Sequence, residues 1–195
     1  MRFLIVNLMV AMCAFSALAE NEYDPIDVGC DWTMAVIITS PTGQLTEAIA
    51  RRKIEDTLEL NGILYVRCRT WMEGLPTKRE SFTLYRKDDS GCYSIDEKAA
   101  DTQEQTVALY PYKVGATWQS TSGKITVTKT VVEVETVSVA GKTYEHCFHI
   151  RTTSSDESYT EDAWEAPIVG SVKSKIVARN GGKMLFTLKE FKSGK

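Results

Sequence analysis

The segment Lys124-Ile125-Thr126-Val127-Thr128-Lys129-Thr130-Val131-Val132-Glu133-Val134-Glu135-Thr136-Val137-Ser138-Val139-Ala140 is rich in β-branched residues and alternates apolar with polar side chains, the pattern of a half-buried strand. The alternation changes phase twice. Apolar residues fall at Ile125 and Val127, then at Val132 and Val134, then at Val137 and Val139. A slip of one residue turns a side chain to the other face, so each phase change implies a bulge, and bulges bend a strand. The expectation is a curved antiparallel sheet that curls into a full or partial barrel, its inside filled by side chains, a covering element or a ligand.

The rest of the chain agrees. Short runs of Val, Ile, Thr, Tyr and Phe are separated by turn dipeptides at Thr42-Gly43, Asn61-Gly62, Ser90-Gly91, Ser122-Gly123, Ala140-Gly141 and Asn180-Gly181. Asn-Gly between apolar runs is a strong hairpin signal, because both residues accept the positive φ of a type I′ turn. Strands are expected near 32–40, 45–60, 63–73, 80–86, 92–96, 103–109, 117–121, 124–139, 143–153, 158–166, 169–178 and 183–192. The nearest helical candidate, Gln44 to Lys53, runs into an alternating stretch, so little helix is expected. The fold class is all-β: a half-barrel or flattened barrel.

The 195 residues carry a formal net charge of −3 and are 43% apolar and 25% charged, which excludes collagen-like, low-complexity and disordered chains. Met1-Arg2, the apolar run Phe3 to Ala17, and Ala17-Leu18-Ala19 before Glu20 have the layout of a secretory signal peptide cleaved after Ala19. The run is short of the roughly 20 apolar residues a membrane-spanning helix needs, and no later segment approaches that length. The expectation is an exported protein, periplasmic or extracellular, with residues 1–19 removed and 20–195 forming one β domain. Lipidation at Cys13 is disfavoured by Met12, which stands where a small residue is expected.

Self-comparison reveals an internal repeat. Pro25-Ile26-Asp27-Val28-Gly29-Cys30-Asp31-Trp32 aligns on Pro111-Tyr112-Lys113-Val114-Gly115-Ala116-Thr117-Trp118, sharing Pro-x-x-Val-Gly-x-x-Trp. Gly62 to Cys68 aligns on Gly141 to Cys147, sharing Gly-x-x-Tyr-x-x-Cys, and the same offset carries Tyr85 onto Trp164 and Gly91 onto Gly170. Two tandem β-meanders, about 25–104 and 111–192, are therefore expected to close on each other and bury a common core. Trp32, Tyr65, Trp118, Tyr144 and Trp164 are its expected anchors, lining either core or ligand face. Tyr and Cys three apart on a strand are expected on opposite faces. Cys30 and Cys92 match Ala116 and Ser171, so both occur only in the first repeat, as a Cys30–Cys92 disulfide would leave them. Cys68 and Cys147 read equally well as a bridge or as buried thiols.

Motifs of catalysis are sought without result: there is no Gly-x-Ser-x-Gly, His-Glu-x-x-His, phosphate-cradling glycine loop or dinucleotide fingerprint. Glu145, Cys147 and His149 make a partial zinc set, but the equivalent first-repeat segment keeps the cysteine without a histidine, so the fold explains the cysteine better than a metal does. The acidic residues Asp156, Glu157, Glu161, Asp162 and Glu165 lack calcium-loop spacing and read as a solvated hairpin rather than a hydrolase pair. The acidic balance and the short Arg51-Arg52-Lys53 triplet argue against nucleic acid. No cofactor, metal or catalytic residue is assigned.

The two Pro-x-x-Val-Gly-x-x-Trp segments, the Gly-Lys-x-Tyr-x-x-Cys strand and Trp164-Glu165-Ala166-Pro167-Ile168-Val169-Gly170-Ser171-Val172-Lys173-Ser174 resemble a group of uncharacterised bacterial exported proteins and lipoproteins. That group ends with an aromatic, Ala-Pro-Gly-Val-Gly-x-Val-Lys and one or two last strands. The resemblance implies a curved half-barrel similar to the outer-membrane lipoprotein carriers, whose concave face holds acyl chains, and carries no catalytic residues. Pro167 and Gly170 mark its turn, and Ile168 stands where the pattern has Gly. The functional expectation is a non-catalytic envelope protein holding an apolar ligand, such as an acyl chain or lipoprotein segment. The alternative is a scaffold or protein-interaction module with a filled core.

Overall fold

Alternation and turn chemistry place twelve strands in the chain, and the computed structural model, which describes residues 23–77, 79–98, 103–122 and 124–194, contains all of them. They are β1 (Asp31–Thr39), β2 (Leu45–Leu60), β3 (Ile63–Glu73), β4 (Arg79–Asp88), β5 (Gly91–Asp96), β6 (Gln105–Leu109), β7 (Thr117–Ser122), β8 (Ile125–Val139), β9 (Lys142–Ser154), β10 (Tyr159–Ala166), β11 (Gly170–Ala178) and β12 (Lys183–Lys192). The expected leader, 1–19, lies outside the described residues, as does Cys13. The β2–β3 hairpin turns through Asn61 (φ 52°) and Gly62 (φ 78°), and the β8–β9 hairpin through Ala140 (φ 49°) and Gly141 (φ 76°), both with the positive dihedrals of a type I′ turn.

All strands lie in one antiparallel sheet of order β6-β5-β4-β3-β2-β1-β12-β11-β10-β9-β8-β7. Two six-strand meanders are thus joined by the β1–β12 ladder, where Trp32 faces Phe191 and Val36 faces Phe186. The sheet curls until it is nearly closed, and one of its bends lies where the alternation of β8 first slipped, near Val132. β8 breaks register against β9 between Val131 and Glu133 and again between Glu135 and Val137, and β2 does so against β3 between Ile54 and Asp56. The outer strands β6 and β7 face each other across a seam. Among the described residues no ladder joins them. Trp118 Nε1 and Lys129 Nζ, cross-strand partners on β7 and β8, both donate to the Val107 carbonyl of β6 at 3.0 Å.

The curl creates an interior filled by two apolar clusters. The larger contains Cys30, Trp32, Ile54, Cys68, Cys147, Val172 and Leu188, and the second contains Tyr23, Cys92, Tyr110, Tyr112, Trp118, Val131 and Ile150. The disulfide weighed between Cys30 and Cys92 is not formed: they belong to different clusters, and all four cysteines from Cys30 onward are free and buried. Each serves as a small apolar side chain. Burial pushes the Cys92 thiol up to about 12 and the Cys147 thiol up to about 11.

The second correction concerns the Gly-x-x-Tyr-x-x-Cys strands. Tyr65 and Cys68 do face opposite ways, with Tyr65 packed in a separate cluster with Leu84 and Ile95. In β9, however, Tyr144 and Cys147 pair with Val137 and Glu135, two apart on β8 and therefore on one face. The extra residue on β9 turns Tyr144 round, and it packs against the same core as Cys147.

Candidate functional site

β1 directs Trp32, Met34, Val36 and Ile38 to the concave face, and β2 directs Ala48, Ala50, Arg52 and Ile54 there, because each set is spaced by two. Arg52 lies directly across from Trp32. Its guanidinium sits 4.8 Å over the Trp32 ring and 5.0 Å over the Tyr85 ring, and its Nε donates to Cys68 Sγ at 3.3 Å. Among the described residues no carboxylate reaches ion-pair distance of it, so the rings carry the cation. The second half sets a tryptophan opposite a cation in the same way, at Trp118 and Lys129.

The segment before β1 enters this interior. The Tyr23 ring packs 4.8 Å from Phe148 and 5.7 Å from Tyr112, and its hydroxyl donates to the His146 carbonyl. Asp24 accepts from the Tyr110 hydroxyl at 2.7 Å and the Tyr112 hydroxyl at 3.2 Å. Burial, reinforced by the Asp24 charge, holds both phenols well above the ordinary tyrosine range. Gly170 (φ 74°) makes room for this strap: a Cβ there would stand 3.2 Å from Pro25 Cδ and 3.3 Å from the Tyr23 carbonyl oxygen. What remains is a partly open cavity of about 140 Å³, walled by Asp24, Lys129, Glu161 and Glu165 together with Val107, Trp118 and Ile150. Burial, with the Asp24 charge next, raises the Glu165 carboxyl to about 8, so it carries a proton at neutral pH. Its small volume leaves no room for the length of an acyl chain, and charged groups share its walls with apolar ones.

The apolar surface lies toward one end of the concave face. Val36, Ala48 and Ala50 form a separate buried cluster, with Met34, Ile38, Met72, Leu75 and Phe186 half-buried against it. Beyond it Ile38, Ile176 and Met184, neighbours across β1, β12 and β11, line an open depression of about 230 Å³. A shallow depression of about 370 Å³ lies nearby, where Ala35, Ile37 and Ile49 from the opposite face meet Glu73 and Lys189.

The sequence-derived anchors are distributed rather than gathered. Trp32 is in the main core, its Nε1 donating to the Val169 carbonyl at 2.7 Å, and Trp118 closes the seam. Tyr65 donates to Glu104 at 2.6 Å, away from both clusters. Tyr144 is half-buried at the core edge. Trp164 stacks on His149, ring centroids 4.8 Å apart, and donates to Glu135. Pro167 and Gly170 flank the β10–β11 turn, with Ile168 between them at φ 68°. Glu145, Cys147 and His149 do not assemble. Cys147 is in the core, and the donor atoms grouped within 4.8 Å are those of Glu133, Glu135 and His149. Asp24 and Lys129 were not singled out in the sequence, and two readings are corrected: Glu165, expected on a solvated hairpin, faces the interior cavity, and Arg52 of the basic triplet turns into the core. The signal available was phase: Arg52 is two residues from Ala50 and Ile54, so it shares their inward face.

The class so defined is a nearly closed antiparallel half-barrel with a filled centre and an apolar end. No family model matches the chain, and no curated protein matches it. Among solved structures it is similar to a Bacteroides fragilis protein described as exported and YmcC-like in fold, with TM-score 0.57 and 14% identity over 88% of this chain and 99% of the other. A protein described as a lipoprotein from Parabacteroides distasonis gives TM-score 0.45 at 12% identity over 87% of this chain and 98% of that one. A LolA superfamily protein from Nitrosomonas europaea gives 0.41 at 10% over 91% and 90%. The first likeness shows a shared fold.

Proposed function

We propose that this is an exported, non-catalytic envelope protein that holds a short apolar ligand, an acyl chain or the lipidated segment of another protein, at the open end of its half-barrel. The observation that carries the reading is the half-buried row Ile38, Ile176 and Met184, continuous with the Val36–Ala48–Ala50 cluster. Apolar surface left part-exposed on a concave face is surface available to a ligand, and methionines such as Met34, Met72 and Met184 adapt to varied shapes. The filled centre limits the depth of entry. The two six-strand halves are read as copies of one unit, supported by the equivalent places of Trp32 and Trp118, Gly62 and Gly141, and Cys68 and Cys147.

Fluorescent fatty-acid titration tests the reading. The unmodified chain is expected to bind the probe saturably, and Ile38→Lys or Met184→Lys to weaken binding at least tenfold while melting stays cooperative. Absence of saturable binding would favour the filled-core interaction module instead.

A further inference from the structure

Away from the apolar end, a bulge in β8 and a second in β9 bracket Glu133, Val134 and Glu135, and these residues meet His149 of β9. His149 is 7% exposed, and its ring is held from two sides. Trp164 stacks on it at 11° between planes, itself topped by Lys173 Nζ at 4.4 Å, and Nε2 lies 2.9 Å from Asp162 Oδ1. Arg151 pairs with the same Asp162 oxygen at 2.8 Å, so that carboxylate is already balanced. With Nε2 donating to Asp162, Nδ1 presents a lone pair, and it faces Glu133 Oε1 at 3.4 Å and Glu135 Oε1 at 4.0 Å.

Two carboxylates converge here on one imidazole nitrogen; the Trp164 indole N–H donates to Glu135, but an indole carries no charge, so the pair of negative charges calls for a cation. Among the described residues no lysine or arginine pairs with Glu133 or Glu135. Ligands of a tetrahedral ion with bonds near 2.0–2.1 Å stand about 3.3 Å apart; Nδ1 and Glu133 are at 3.4 Å, and Glu135, at 4.0 Å from Nδ1 and with all three donors within 4.8 Å of one another, has to move inward to join them. The supporting contacts are also in place: a carboxylate on the far ring nitrogen is the usual partner of a metal-bound histidine, and the Trp164 indole fixes Glu135.

We propose that Glu133, Glu135 and His149 bind a divalent first-row transition cation, with Asp162 and Trp164 as positioning residues. One imidazole and two carboxylates suit zinc or manganese. The Glu133 and Glu135 side chains are 58% and 39% exposed, so the ion is reached from solvent and keeps an open position. Bound there, it ties β8 to β9 where their ladder is interrupted.

Zn²⁺ titration of the purified metal-free chain, by calorimetry and by thermal melting, is the test. One saturating site and a raised melting temperature are expected. Glu133→Gln, at an exposed position, is expected to weaken binding at least tenfold while leaving the metal-free melting temperature unchanged, and His149→Gln to weaken it further. Co²⁺ is expected to give d–d absorption without sulfur charge-transfer bands, which separates this site from the four thiols. No saturable uptake, uptake undiminished by Glu133→Gln, or sulfur charge-transfer bands would each overturn the proposal.

Discussion

The carboxyl of Glu165 faces the small interior cavity together with Asp24, Lys129 and Glu161, and its upward shift to about 8 has a definite sign in stability. The folded chain keeps a proton that the unfolded chain releases in the ordinary carboxylate range. Stability therefore falls as pH rises from there to about 8 and levels off above it. Glu165→Gln should be more stable than the parent at pH 8 in urea unfolding, with the difference shrinking toward nothing at acidic pH. At Ile168 the strain is in the backbone: a β-branched residue at φ 68°, with 60% of its surface exposed, gains little from packing to offset that conformation. Ile168→Gly should add about 1 kcal/mol to the unfolding free energy, measured at constant pH. The raised Cys92 and Cys147 thiols should resist iodoacetamide in the folded protein, whereas unreduced, unfolded chain should show Cys30, Cys68, Cys92 and Cys147 all alkylated by mass spectrometry.

Strands are where the amino-acid sequence was most informative. The phase change around Val132 is a local property of β8, and a bulge falls there between Val131 and Glu133; the change around Thr136 marks no bulge in β8, because the extra residue between Glu135 and Val137 is on β9, and Val134 and Val137 lie on opposite faces. Asn61-Gly62 needed only dihedral preference to announce its hairpin. The face of Tyr144 was not legible, because it depends on which strand of a bulged pair carries the extra residue, and that is settled between β8 and β9 rather than within either. The same holds for the seam. Neither β6 nor β7 signals that its partner is missing, or that an indole from β7 and an ammonium from β8 will bridge to Val107. Trp118→Phe keeps most of the ring packing and removes one of those two bonds. It should cost about 1 kcal/mol and raise amide exchange selectively in Gln105–Leu109 and Thr117–Ser122.

For the molecule as a whole, curvature could be anticipated and the contents of the curve could not. Asp24, Arg52 and Glu165 are ionisable residues that reach the interior only because β2 and β10 curl toward the strap at Tyr23–Ile26. Asp24 is satisfied by Tyr110 and Tyr112, 86 and 88 residues away. Such partners are assembled by closure of the sheet, which no local pattern encodes. Closure also has a topological corollary. Because β1 and β12 are hydrogen-bonded neighbours, and Gly194 N donates to Cys30 Sγ at 3.1 Å, the first and last strands meet in the middle of the sheet, while its free edges belong to residues consecutive in the chain. A short peptide joining the two ends, with the chain cut between β6 and β7, would produce a circular permutant that keeps every strand pairing and exchanges the order of the two halves.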